Sequence, residues 1–233
     1  MEINRKKLLK GDQYYPVMKK KNQIFLHHTA GTTADGAIDW WNQTPEHVGT
    51  AYVIDRDGTI YEVFDPEKWA YHIGVKGDNN HVEKHAIGIE IVAAGQLYKR
   101  KDNKVFFYPL YPNLIAKTLI DPKDVWEMKK EWRGYSLYHK YNQKQILSVC
   151  WLVAELIEKF NIPIQEDISK FYEYDKSGKV LRGEGGIYSH STVRKDKTDI
   201  VPHPEFIKTF TGMLVNLKKR DTEKPLKKKR SKK

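Results

Sequence analysis

The residues of this 233-residue sequence best suited to chemistry fall in two distant stretches. One is Ile24-Phe25-Leu26-His27-His28-Thr29-Ala30-Gly31; the other runs from Ser189-His190 through Lys197-Thr198-Asp199. The first reads as a buried strand that ends in two histidines and a small-residue turn. A strand end is a rigid mount for a ligand, and the turn after it leaves the mounted group reachable. The second places a histidine and an aspartate nine residues apart, with enough loop between them to turn both onto one ion. A catalytic zinc takes three protein ligands and keeps a fourth position open. His27, His190 and Asp199 make such a set, and an ion held there lowers the pKa of water toward ~7. The spacing alone is a weak signature. A strand-end histidine is more often a hydrogen-bonded structural residue, and Asp199 also reads as a turn former.

Two more residues extend this chemistry. Glu90 interrupts the apolar run Ile87-Gly88-Ile89-Glu90-Ile91-Val92. A carboxylate in such a run is costly unless it is paired, hydrogen-bonded or turned into a cleft. Glu90 is therefore a candidate general base, with an edge-strand surface residue as the alternative. Lys197, two residues before Asp199, is placed to steady an oxyanion; by itself it reads as one more surface lysine.

Elements able to carry these residues are legible on both sides of the sequence. Residues 22–95 read as a dense α/β unit. Its strands are expected at Gln23–His28, Ala51–Arg56, Thr59–Phe64 and Ala86–Val92, with a short helix over Ala34–Asn42. Asp57-Gly58 between the second and third strands is a strong hairpin signal. Asn142–Phe160 is the best helix, with Asn142 as cap and Gln145 at the capping-box position. Its apolar residues cover much of its circumference, so it should be well buried. A loop over Phe171–Gly186, a strand over Gly186–His190 and a helix over Pro204–Leu217 complete the expected unit. Residues 96–141 differ: rich in Tyr, Lys and Pro, and containing Phe106-Phe107-Tyr108-Pro109-Leu110-Tyr111-Pro112, they read as an inserted, partly ordered excursion.

Composition bounds the rest. A chain of this length with 39% hydrophobic residues is enough for one folded domain with a sizeable core. Its one cysteine, Cys150, excludes an internal disulfide framework. No apolar run approaches the ~18 residues that span a bilayer. Met1–Lys21 lacks the apolar core of a secretory signal, so a cytoplasmic location is expected. The net charge of +11 divides into +5 on residues 1–21, +8 on residues 218–233 and −2 on the remainder. Those ends read either as solvated tails or as a tether to a polyanion, whether nucleic acid, anionic lipid or phosphate-rich envelope polymer, and composition does not choose among these. A nucleic-acid partner is not expected, since only Lys227-Lys228-Lys229-Arg230 suggests one.

Taken in order, five separated motifs resemble the type 2 N-acetylmuramoyl-L-alanine amidases, a family that shares its fold with peptidoglycan recognition proteins and phage endolysins. They are His27-His28-Thr29-Ala30, Thr50–Glu62, Trp69-Ala70-Tyr71-His72-Ile73-Gly74, Ala86–Ile91, and Ser189-His190 with Lys197-Thr198-Asp199. The resemblance covers about residues 22–95 and 142–215 and implies an α/β fold, a central mixed sheet flanked by helices. It implies a zinc hydrolase that cuts the amide between N-acetylmuramic acid and the L-alanine of the stem peptide. By position, His27, His190 and Asp199 match the Zn2+ ligands, with aspartate where some relatives carry cysteine. Glu90 matches the acidic base, and Lys197 the residue that stabilises the tetrahedral intermediate. Tyr71 and His72 match a substrate-lining segment. Relatives without the glutamate carry a catalytic tyrosine near Thr50, so Tyr52, two residues on, is kept on the substrate side. Lytic chemistry without a secretory signal, and with a basic tail, points to a phage endolysin, expected as a monomer. The alternatives are an intracellular wall-recycling amidase and a non-catalytic receptor on the same fold, although such receptors commonly lose a ligand that this chain keeps. The family offers no counterpart for residues 96–141. They stand as a wall of the peptide groove, a glycan contact or a surface elaboration.

Overall fold

A computed structural model describes residues 1–75, 80–107, 118–168 and 171–223. In chain order, β1 (Ile3–Asn4), β2 (Gln23–His28), α1 (Ala34–Trp41), β3 (Tyr52–Ile54), β4 (Ile60–Glu62), α2 (His81–His85) and β5 (Ala86–Ile91) form the first part. The middle holds β6 (Tyr98–Lys99), β7 (Val105–Phe107), β8 (Thr118–Leu119), β9 (Val125–Trp132) and β10 (Tyr135–His139). The last part is α3 (Gln143–Phe160), β11 (Gly186–Ser189), α4 (His190–Val193) and α5 (Pro204–Glu223).

Six strands make one mixed sheet in the order β1-β4-β3-β5-β2-β11. β3, β5, β2 and β11 run parallel to one another. β4 alone turns back on its partner β3, through the expected Asp57-Gly58 turn, where Gly58 has φ 89°. All six residues of β2 are buried, as expected of a central parallel strand covered on both faces. Asn142 caps α3, and its side chain and that of Gln145 exchange hydrogen bonds with each other's backbone amides. α3 packs on α5 and β3. Val149, Leu152 and Val153 there join Phe206, Phe210 and Leu214 of α5 and Leu26 and Ile89 of the sheet. A second cluster is built around Phe25, Ile73, Val82 and Tyr188.

Phe210 has no exposed surface and meets Phe171 and Phe206. Truncating a buried phenyl removes its transfer energy and leaves a cavity. Phe210→Ala should therefore destabilise the fold by about 3–5 kcal/mol, read from the urea midpoint; an unmoved midpoint would contradict this packing.

The structure corrects three expectations. The basic N-terminal residues are not a solvated tail. β1 pairs with β4, the Leu9 amide donates to the Val63 carbonyl, and Tyr14 and Tyr15 stack on Phe64 and Trp69. Lys21 is buried, its ammonium donating to the carbonyls of Lys84 and Ala86, and burial lowers its pKa to about 7. The charge density of this segment concealed a few apolar anchors between its lysines. The described part of residues 96–141 is more regular than the partly ordered excursion expected. β6, β7 and β8 form a small sheet, and β9 and β10 form a hairpin. Trp126, Met128, Trp132 and Tyr135 of that hairpin pack on the main core. Finally, α5 continues past Leu217 to Glu223, so residues 218–223 are helix rather than tail. Tyr108 to Pro112 of the aromatic stretch, and residues 224–233 of the basic tail, lie outside the described residues.

Candidate metal centre

Sheet register brings the candidate residues together. On the parallel pair β2 and β5, His27 lies directly beside Glu90. On β11, Ser189 lies beside Leu26, so His190 emerges next to His27. The row therefore sits at the carboxyl ends of parallel strands, where open α/β sheets place their ligands. The expected strand through His190 stops one residue sooner. Ser189 forms a capping box with Thr192, and His190 opens the short helix α4. That turn swings the chain around to Asp199. The Ser191 amide then donates to the Asp199 carbonyl at 2.7 Å, which closes the loop between His190 and Asp199.

Three atoms converge as a result. His27 Nδ1 is 3.1 Å from His190 Nδ1, His190 Nδ1 is 3.1 Å from Asp199 Oδ2, and His27 Nδ1 is 3.3 Å from Asp199 Oδ2. His190 Nε2 lies 2.9 Å from the Ile73 carbonyl, which only accepts. A neutral His190 thus carries its proton on Nε2 and turns a lone pair into the triangle. Burial lowers the His27 pKa to about 4 against the opposing hydrogen bond with Asp199, so His27 is neutral near pH 7. Its Nε2 lies 2.9 Å from His72 Nδ1. If that bond takes the His27 proton, a second lone pair enters the triangle. Burial opposes ionisation of Asp199, but His190 and His27 hold its carboxyl well below the usual range. Two nitrogen lone pairs and a carboxylate oxygen, all buried and nearly equidistant, suit a cation. Ligands ~2.1 Å from a tetrahedral zinc would stand about 3.4 Å apart. The donor set therefore fits zinc.

The surroundings hold this arrangement in place. The backbone amides of His72, Ile73 and Gly74 all donate to the buried carboxylate of Glu83, fixing the segment whose Ile73 carbonyl receives His190. A metal-bound imidazole is normally oriented by such a bond on its other nitrogen. His28 is not part of the triangle. Its Nδ1 is 3.3 Å from the Tyr141 hydroxyl and its Nε2 is 3.4 Å from Thr198 Oγ1. Strand alternation sends it to the face opposite His27.

A cavity of about 570 Å³ opens on the triangle. Glu90 and Lys197 both line it. Glu90 Oε2 is buried without a hydrogen-bond partner. Burial first, and then the charge of Asp199, push the Glu90 pKa well above its ordinary value, with Lys197 opposing. A carboxyl so placed is suited to accepting and returning a proton near neutral pH.

The substrate-side expectations fare differently. His72 does line the cavity, and it also bonds His27. Tyr71 is not among the lining residues; its hydroxyl accepts from Asn80 Nδ2 and its ring meets Trp69 and Tyr15 edge-on. Tyr52 is a correction. It is 2% exposed, and its hydroxyl donates to Glu62 Oε2 at 3.0 Å. Val53, not Tyr52, stands beside Glu90 in the register, so alternation turns Tyr52 to the other face of the sheet. Sequence reasoning missed Trp40, Gln96, Arg133 and Tyr135 as lining residues. Trp40 left one trace, a tryptophan on a short helix whose partner faces already had Ile38 and Trp41. The other three come from residues 96–141, outside the five motifs that carry the resemblance, and gave no signal.

Residues 18–204 match the family model described as N-acetylmuramoyl-L-alanine amidase. That is well over half of the chain, and the chain belongs to that family. A search of curated proteins finds no match. Among solved structures, a mutant of PlyL is 16% identical, with 91% of this chain and 99% of that one covered and a TM-score of 0.51. The catalytic domain of XlyA is 14% identical, with coverages of 90% and 99% and a TM-score of 0.49. AmiD from E. coli, in complex with the substrate anhydro-N-acetylmuramic acid-L-Ala-D-gamma-Glu-L-Lys, is 12% identical, with coverages of 83% and 59% and a TM-score of 0.49. The likeness to PlyL bears on the fold, and the mixed sheet flanked by helices agrees with it.

Proposed function

We propose that this chain is a zinc-dependent hydrolase of the amide between N-acetylmuramic acid and L-alanine in peptidoglycan, acting as a monomeric phage endolysin. The observation that carries the proposal is the convergence of His27, His190 and Asp199, with the unpartnered Glu90 carboxyl beside them in one cavity. Zinc held by those three residues would supply Lewis-acid polarisation and lower the pKa of water toward ~7. Glu90 removes the proton from the attacking water as its oxygen adds to the lactyl carbonyl. Lys197 lines the cavity, and its ammonium would offset negative charge growing on the carbonyl oxygen. Glu90 then returns the proton to the alanine nitrogen as the C–N bond breaks. The products are a lactyl carboxylic acid and a peptide with a free amine, and no covalent enzyme intermediate is needed.

An endolysin waits in the host cytoplasm until the membrane is opened. Among the described residues no helix is long and apolar enough to cross a membrane. The basic run 218–233 would tether the released enzyme to anionic envelope polymer, with peptidoglycan as the substrate partner.

Mass spectrometry of products from intact sacculi and from soluble anhydro-muropeptides, with zinc measured alongside, tests this proposal. Stem peptides beginning with L-alanine should be released faster from sacculi. Faster release from the anhydro-muropeptides would instead indicate wall recycling. Cleavage at any other bond, or zinc-free protein with no release, would sink the assignment.

A further inference from the structure

The ligand loop 190–199 is held by an element outside the shared motifs. At the tip of the β9–β10 hairpin, Trp132 pairs with Tyr135 across the two-residue turn Arg133-Gly134. The turn has φ 53° at Arg133 and 85° at Gly134, the signature of a primed turn. Asn, Asp or Gly is the usual residue at such a first position, and a left-handed arginine is strained. An arginine kept there is explained by what its side chain reaches. Nη1 donates to the carbonyl of Lys195 at 2.5 Å and to that of Arg194 at 3.4 Å, and Nη2 donates to that of Ser191 at 3.0 Å. The neighbouring Trp132 Nε1 donates to the Thr198 carbonyl at 3.0 Å. Gln96 Oε1 accepts from Thr198 Oγ1 at 3.1 Å. Four carbonyls and one hydroxyl of a single short loop are thereby fixed from residues 96–141. That loop begins at His190, ends at Asp199 and carries Lys197.

We infer that Arg133 and Trp132 are positioning residues, and that the β9–β10 hairpin is a clasp that sets the geometry of the ligand loop. The inference rests on the zinc reading for its effect on metal, but not for its effect on the loop. Hairpin and loop are rigidly joined through polar bonds to backbone, so loosening the clasp should free the loop without dissolving the core. Outer partners of metal ligands typically alter affinity by about 10–100-fold, and a clasp of this kind acts at the same remove.

The test compares Arg133→Ala and Trp132→Phe with the wild type. The second variant keeps the aromatic body and removes only the N–H donor, so it remains informative if the first folds poorly. Two readouts are needed. Amide hydrogen exchange of the metal-free protein should accelerate at least about tenfold within residues 191–199 while β2 and α3 stay protected. Zinc affinity, measured by chelator competition, should fall by about 10–100-fold, with kcat falling more than KM rises. Unchanged exchange in residues 191–199 would overturn the inference, as would acceleration spread evenly over the sheet and α3, which would mark a contribution to global stability alone. A wild type that binds no zinc, combined with local loop exchange in the variants, would overturn the zinc reading and leave the clasp standing.

Discussion

Glu90→Gln is expected to lower kcat by about 10²–10⁴-fold while zinc content stays at the wild-type level. The amide keeps the shape of the side chain and removes its basicity. It lines the same cavity as the ligand triangle without being one of the three ligands, so the loss should fall on proton transfer. The pH profile sharpens the test. The active form of Glu90 is the carboxylate, so activity rises as pH rises through its pKa. Burial and the charge of Asp199 raise that pKa, which places the acid limb of kcat/KM above the ~4.3 of an ordinary glutamate. A cation in the triangle would draw the limb partly back down. The variant should lose the limb along with the rate. Wild-type turnover with zinc in place would remove Glu90 from the mechanism.

Asp199→Ala should cost more still. It removes one of the three proposed ligands, the carboxylate oxygen that faces both His27 Nδ1 and His190 Nδ1. Zinc affinity should fall by more than about 100-fold, beyond what loss of an outer partner costs, and turnover should drop to background. Asp199→Cys offers a control, because thiolate is also a zinc ligand and should restore part of the metal binding. Metal analysis after dialysis against a weak chelator reads both variants. Full zinc retention by the alanine variant would mean that the ion is held elsewhere.

The legible parts of this protein were those with local signals. β2 and β5 were visible as short, nearly continuous apolar runs, and α3 by apolar residues at the helix period together with its own cap. The turn at Gly58 was visible because Asp-Gly suits that geometry. The N-terminal segment was misread because a strand two residues long gives no period, and its lysines outweigh Leu9, Tyr14 and Tyr15 in any composition window. Tyr52 was misplaced because position along a motif does not say which face of a strand a side chain takes, and a shift of one residue reverses it.

By itself the sequence determined which groups are available: two histidines and an aspartate able to ligate, a carboxyl in an apolar strand, and a lysine near the last ligand. It also determined the strand on which the first ligand is mounted. The tertiary structure decided that residues 163 positions apart put their nitrogens 3.1 Å from each other. It also decided that the carboxyl beside them has an unpartnered oxygen, and that a hairpin outside the five motifs grips the loop joining His190 to Asp199. The reason is physical: periodicity and capping act over a few residues, whereas ligand convergence depends on the register of neighbouring strands and on bonds between segments distant in sequence.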